Sequence, residues 1–171
     1  LPAPFSAPHG QRIGEIWFEP PPELDQLLVK FLFTSEKLSV QCHPSDEQAQ
    51  AGEQGKEECW LVLDAEPDAR IAIGLIEPAD AKTLRAAAKN GSIEQMLEWY
   101  TVKPGDFFYL PAGTIHAIGG GLSIVEIQQN SDTTFRLYDY GRDRELHLER
   151  GMEVANRDVY PSDQAAKIGD V

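Results

Sequence analysis

Along most of this chain apolar and polar residues alternate with a period of two, the signature of strands with one buried face. "RIGEIWFE" (residues 12–19) and "LSVQCH" (38–43) alternate in this way. "LVKFLF" (28–33) is an apolar run broken only by Lys30 and predicts a buried strand. "ECWLVLD" (58–64) and "ARIAIGLI" (69–76) predict two strands divided by a turn at "AEPD". From residue 100 short strands recur in "YTV", "DFFYLP", "IHAI", "LSIVEIQQ" and "TTFRLYDY". The period changes to helical over 79–98. There "ADAKTLRAAAKNG" ends on an Asn-Gly stop, and "SIEQMLEW" opens with Ser92 and Gln95, a capping box. "SDEQAQAG" (45–52) predicts a further short helix, while "ELHLERGMEVA" suits either a closing strand or a helix. Trp60, Trp99, Tyr109 and the phenylalanines read as core. Many short strands separated by turn signals predict a mainly β sandwich or barrel.

One strand carries chemistry in its phase. In "LSVQCHP", Gln41 and His43 share a face about 7 Å apart, and Pro44 ends the strand. An amide and an imidazole aimed at a barrel interior need partners, and a metal ion is one. Cys42 and Cys59 fall on the opposite phase from this face and from Glu58, so a thiolate metal site is not expected; both read as buried, inert thiols.

Composition narrows the function classes. The 171 residues suit a single domain, 1–171, with a helical insertion near 79–98. The net charge of −13 argues against a nucleic-acid partner, which needs dense Lys and Arg, yet leaves room for a small anion held by a few local cations. No apolar run approaches the roughly 20 residues of a membrane helix. Two cysteines and no signal-peptide pattern predict a cytoplasmic protein. The sequence does not specify an oligomeric state. The chain begins at Leu1, and a natural start upstream is expected.

The most specific motif is "GDFFYLPAGTIH", residues 105–116. "KPGD" turns the chain into a strand, Pro111 stops it, and Gly113 permits a tight turn. His116 then lies early on the returning strand and can face inward. This motif resembles the second conserved motif of the cupin superfamily, in which that histidine binds metal. The resemblance implies a cupin-type double-stranded β-helix, a jelly-roll barrel. Gln41-x-His43 stands where the first cupin motif has His-x-His, and Glu58 takes the place of its glutamate after a long gap.

Four stretches in order, "LSVQCHPSDEQA", "GKEECWLVLDA", "KPGDFFYLPAGTIHAIG" and "QQNSDTTFRLYDYGR…RELHLE", resemble type I mannose-6-phosphate isomerases from about Ile13 to Val154. That resemblance implies a zinc enzyme that interconverts mannose 6-phosphate and fructose 6-phosphate. By motif matching it implies Gln41, His43, Glu58 and His116 as metal ligands, and Lys56, Asp132 and Arg136 as polar site residues. It also implies that an N-terminal segment and a second β-domain lie outside this chain.

The residues can be weighed on their own chemistry. Two imidazoles, a carboxylate and an amide suit Zn²⁺ with a position left open, and Mn²⁺ or Fe²⁺ would also accept them. The alternative is two core histidines bonded to backbone and a surface glutamate. Lys56 shares the face of Glu58 if the strand starts that early; otherwise it is a solvated turn lysine. Arg136 lies inside a strand pattern and demands an anion, either an internal carboxylate or a substrate phosphate. Asp132 sits at a strand end, as a catalytic group or as the start of an Asx turn. Lys56 and Asp132 are the candidate bases for proton transfer through a cis-enediol. Other readings are a related sugar isomerase, an iron oxygenase, and a metal-bound cupin that binds a sugar or sugar phosphate without turnover. His9 and His147 have no role legible in the sequence.

Overall fold

The computed structural model describes residues 11–167. His9 lies outside them. Among the described residues, eleven strands form two antiparallel sheets. The larger sheet contains β1 (Glu15–Phe18), β2 (Leu27–Thr34), β9 (Leu122–Gln129), β4 (Glu58–Ala65), β7 (Asp106–Leu110) and β11 (Ala165–Lys167), in that spatial order. The smaller runs β10 (Phe135–Tyr138), β3 (Val40–Cys42), β8 (His116–Ile118), β5 (Arg70–Leu75) and β6 (Leu97–Thr101). Sequence neighbours are spread between the two sheets, and the result is a mainly β, cupin-type jelly roll.

Apolar side chains fill two cores. Trp60, Ile71, Ile73, Phe108, Leu110 and Ile124 lie between the sheets, so their strands alternate inward and outward. The small sheet is also covered outside by helices, and Val40, Cys42, Ala117 and Leu137 pack there against Leu84, Ala88, Met152 and Val154. Burial on both faces explains why "ARIAIGLI" lacks clean alternation.

The helical interruption consists of α1 (Ala81–Asn90) and the single-turn α2 (Ile93–Met96). The Asp80 carboxylate accepts the Thr83 N–H at 2.7 Å and caps α1, while Gly91 at φ 84° ends it. The expected Ser92–Gln95 capping box does not form. Ser92 itself is helical, and its N–H donates to the Asn90 side chain instead. Strand pairing with β5 then claims Leu97 to Thr101. Residues 147–154 resolve as helix α3 (Leu148–Val154).

The helix expected over 45–52 is absent. The N–H groups of Gln48 and Ala49 both donate to the Ser45 carbonyl, which makes one turn, and the segment goes no further. One turn bears the full nucleation cost of a helix without the bonds that repay it. The Asp46 carboxylate instead accepts from the Gly55 N–H and the Gln129 amide, tying the loop to β9. Tyr109 is likewise not core. It alternates outward between buried Phe108 and Leu110, and its hydroxyl donates to Glu57. Cys59 also faces out and is only half-buried, whereas Cys42 is buried with its thiol pushed up to about 12 by burial.

Candidate metal and anion site

Register builds the site. Arg136 pairs with Gln41, and Gln41 with His116, across β10, β3 and β8. Cross-strand partners share a face, so these three side chains form a row that runs from the buried centre to the rim. Opposite them, Glu58 pairs with Gln128, and Glu126 lies between Lys30 and Trp60. The inner faces of the two sheets thus converge at one end of the barrel on polar groups rather than on the apolar core.

Pro111 and Gly113 place His116. Gly113 takes φ 81°, and a Cβ there would lie 2.7 Å from the Val154 carbonyl oxygen. Its N–H donates to the His43 carbonyl at 2.7 Å, which ties the two histidine segments together.

His43, Glu58 and His116 are buried, and their ligand atoms lie within 4.8 Å of one another. Each imidazole uses Nδ1 on backbone, His43 on the Thr133 carbonyl and His116 on the Thr114 carbonyl, both at 2.9 Å. A carbonyl oxygen can only accept, so the ring nitrogen facing it must donate: each ring holds its proton at Nδ1 and offers the Nε2 lone pair inward. His116 Nε2 is 3.3 Å from Glu58 Oε1, and His43 Nε2 is 3.7 Å from Oε2. These are not ion pairs. Burial, and after it neighbouring positive charge, holds the His43 imidazole neutral, and burial lowers His116 to about 4. His43 Nε2 and both Glu58 oxygens are buried acceptors with no donor at hydrogen-bond distance; the Lys56 ammonium stands off Glu58 Oε2 at 3.7 Å.

Three unsatisfied acceptors facing one another are unfavourable unless a cation lies between them. Donors about 2.1 Å from a common ion stand roughly 3–3.5 Å apart, close to the spacing found here. The donor set therefore fits a divalent metal. The Gln41 amide lies 3.3 Å from His116 Nε2 and is held by the Ser39 hydroxyl at 3.0 Å. That hydroxyl can donate or accept, so the amide can turn its oxygen inward.

Lys56 is buried with Nζ 3.7 Å from Glu58 Oε2, not solvated in the turn. Gln41, Lys56, Asp132 and Arg136 all line one cavity of about 230 Å³. Asp132 is exposed at its rim. Arg136 is half-buried. Its Nη1 donates to the Glu145 carbonyl at 2.9 Å, while Nε is buried without a partner.

Four contributors had escaped sequence reasoning. Lys30 and Glu126 form a buried ion pair at 3.2 Å and line the same cavity. Their signal was phase: Lys30 shares the inward face of buried Leu28 and Leu32, and Glu126 that of Ile124 and Gln128. Arg144 also lines the cavity. His147 Nδ1 accepts the Arg136 N–H at 3.1 Å, and its own N–H donates to the Arg136 carbonyl at 2.7 Å. This completes the free edge of β10 at the arginine. No sequence signal marks that latch.

No protein-family model matches the chain. It is 47% identical over 137 residues to the mannose-6-phosphate isomerase ManA of Bacillus subtilis, a match covering 75% of this chain and 43% of that protein. It is 38% identical over 161 residues to the probable mannose-6-phosphate isomerase GmuF of the same organism, covering 85% and 51%. Among solved structures, a mannose 6-phosphate isomerase from Bacillus subtilis matches with a TM-score of 0.73 and 39% identity, over 78% of this chain and 46% of that one. The chain spans about half the length of the curated relatives it matches.

Proposed function

The chain belongs to the mannose-6-phosphate isomerase family, and from that membership we propose that it interconverts mannose 6-phosphate and fructose 6-phosphate as a zinc-dependent aldose–ketose isomerase. The observation that carries the reading is the set of three buried, donorless acceptors on His43 and Glu58 beside His116. His43, Glu58, His116 and Gln41 would hold the ion. A bound zinc ion supplies Lewis-acid stabilisation for the charge that develops as the carbonyl moves between C2 and C1.

The protein's own groups do the rest. A cis-enediol route moves one proton between C2 and C1 and a second between O2 and O1, and a single positioned group can remove the carbon-bound proton and return it. Such a group works best inside the cavity, shielded from water. Lys56 and Glu126 lie there, whereas Asp132 stands on the exposed rim, where it suits substrate positioning. Burial first, and then the Glu58 charge, raises the Glu126 carboxyl above its ordinary range. Lys30 neutralises it and fixes its direction. Arg136 offers a planar fork to the phosphate. Two free thiols and the absence, among the described residues, of a helix long and apolar enough to cross a membrane fit a cytoplasmic setting.

A coupled assay for fructose 6-phosphate formation from mannose 6-phosphate tests this. Turnover that falls to background with a chelator and returns with zinc is expected. Absence of turnover from the metal-loaded chain would refute it.

A further inference from the structure

The cavity is lined by Lys30, Lys56, Arg136 and Arg144 together with Glu15, Glu126 and Asp132. Lys30 is paired with Glu126, and Lys56 lies beside Glu58. Among the described residues Arg136 has no carboxylate partner; its one side-chain bond goes to a carbonyl, that of Glu145. The residue before Glu145 is Arg144, which lines the same cavity.

Arg144 is exposed, but its guanidinium is held in place. Asp139, buried on the strand-to-loop turn, accepts from Arg144 Nε at 2.5 Å and Nη2 at 2.8 Å. It also accepts from Arg142 Nε and Nη2, at 3.0 and 2.5 Å. One carboxylate thus serves two guanidiniums and leaves the cluster with an excess positive charge. The Asp139 contacts use one edge of the Arg144 guanidinium, so Nη1 makes none of them.

We infer that Arg144, oriented by Asp139, is a second phosphate-binding residue that works with Arg136 at the rim of the cavity. Both arginines come from β10 and the loop after it, and the Arg136–Glu145 bond fastens strand to loop. The span also fits. Arg136 lies two strands from His116, roughly 10 Å at the backbone. Six carbons and a phosphoryl group joined by bonds of about 1.5 Å cover such a distance. In a protein of net charge −13, a dianion needs cations placed where it docks, and Arg136 and Arg144 are the two guanidiniums on this lining.

This inference rests on the sugar-phosphate reading above, so its test avoids turnover. Equilibrium binding of mannitol 6-phosphate, which has no carbonyl to isomerise, is measured against mannitol on the metal-loaded chain. The phosphorylated probe should bind at least ~30-fold tighter. Arg144→Ala should weaken it ~10–30-fold, leave mannitol and metal content unchanged, and Arg144→Lys should recover part. In an active enzyme the same variant raises KM and leaves kcat within about threefold. Should Arg144→Ala not fold, Arg144→Gln replaces it with the same expectation. Wild-type affinity in the folded Ala or Gln variant, or equal binding of the two probes by the parent chain, would overturn the inference. A chain that shows Arg144-dependent binding but no turnover would refute the isomerase reading alone.

Discussion

Arg136→Ala separates a substrate-binding arginine from a structural one. The structural loss is small. The guanidinium makes one hydrogen bond, to the Glu145 carbonyl, at a partly exposed position, and the His147 latch uses the Arg136 backbone, which the variant keeps. Removing one such bond costs about 1 kcal/mol, so fold and metal content should persist. The functional loss is larger. Two charge-assisted bonds from a planar fork to a phosphate are worth about 1.5–3 kcal/mol each, of which at least ~2.7 kcal/mol should be lost from transition-state stabilisation. That corresponds to at least ~100-fold in kcat/KM by the coupled assay, with melting temperature and zinc content measured on the same samples. Arg136→Lys should regain only part, since a point charge cannot reproduce the fork. A wild-type rate in the Ala variant would show that Arg136 serves only to fasten β10 to its loop.

Other outcomes follow from the same geometry. His116→Ala should lose stoichiometric metal, read by elemental analysis, because one strong nitrogen donor disappears from a four-ligand set; full zinc content would contradict the ligand assignment. The chelated protein should lose stability as pH falls from about 6.5 toward 4. His116 binds its proton more weakly folded than unfolded, so the unfolded state takes up more protons in that window, a contribution of order 3 kcal/mol. Denaturant titrations of His116→Gln that keep the full parental slope would refute this assignment. Gly91→Ala should cost about 1–2 kcal/mol in chemical denaturation, since Gly91 has φ 84° and a Cβ would meet the Tyr138 hydroxyl at 2.7 Å. An unchanged midpoint would mean that the α1 terminus rearranges freely.

Much of this site is readable before any coordinates. Gln41 and His43 announce themselves because strand phase is strict, and Gly105 to His116 does so because each special residue performs a backbone task. Lys56, ambiguous in sequence, precedes β4 and is nevertheless buried, with its backbone N–H bonded to the Pro44 carbonyl. Lys30 and Glu126 show what sequence withholds. Each stands alone as a charge in an apolar strand, and only the β2–β9 register, which joins segments nearly a hundred residues apart, makes them a pair. Non-local pairing also explains the failures near residues 45–52 and 92–99. Helix formers lose there to the Asp46 contacts with Gly55 and Gln129 and to the β5–β6 ladder, neither of which local propensity contains. His147 is the extreme case, a histidine whose value is to bond the backbone of Arg136 across a loop.

The central claim is that the donorless acceptors of His43 and Glu58, with His116, hold one catalytic metal ion. Titrating zinc into the chelated chain while following both bound metal and fructose 6-phosphate formation tests it most directly. Activity and occupancy should rise together and break at one equivalent. Full activity with no bound metal, or stoichiometric zinc that leaves the Nε2-side environments of His43 and His116 unchanged by NMR, would contradict it.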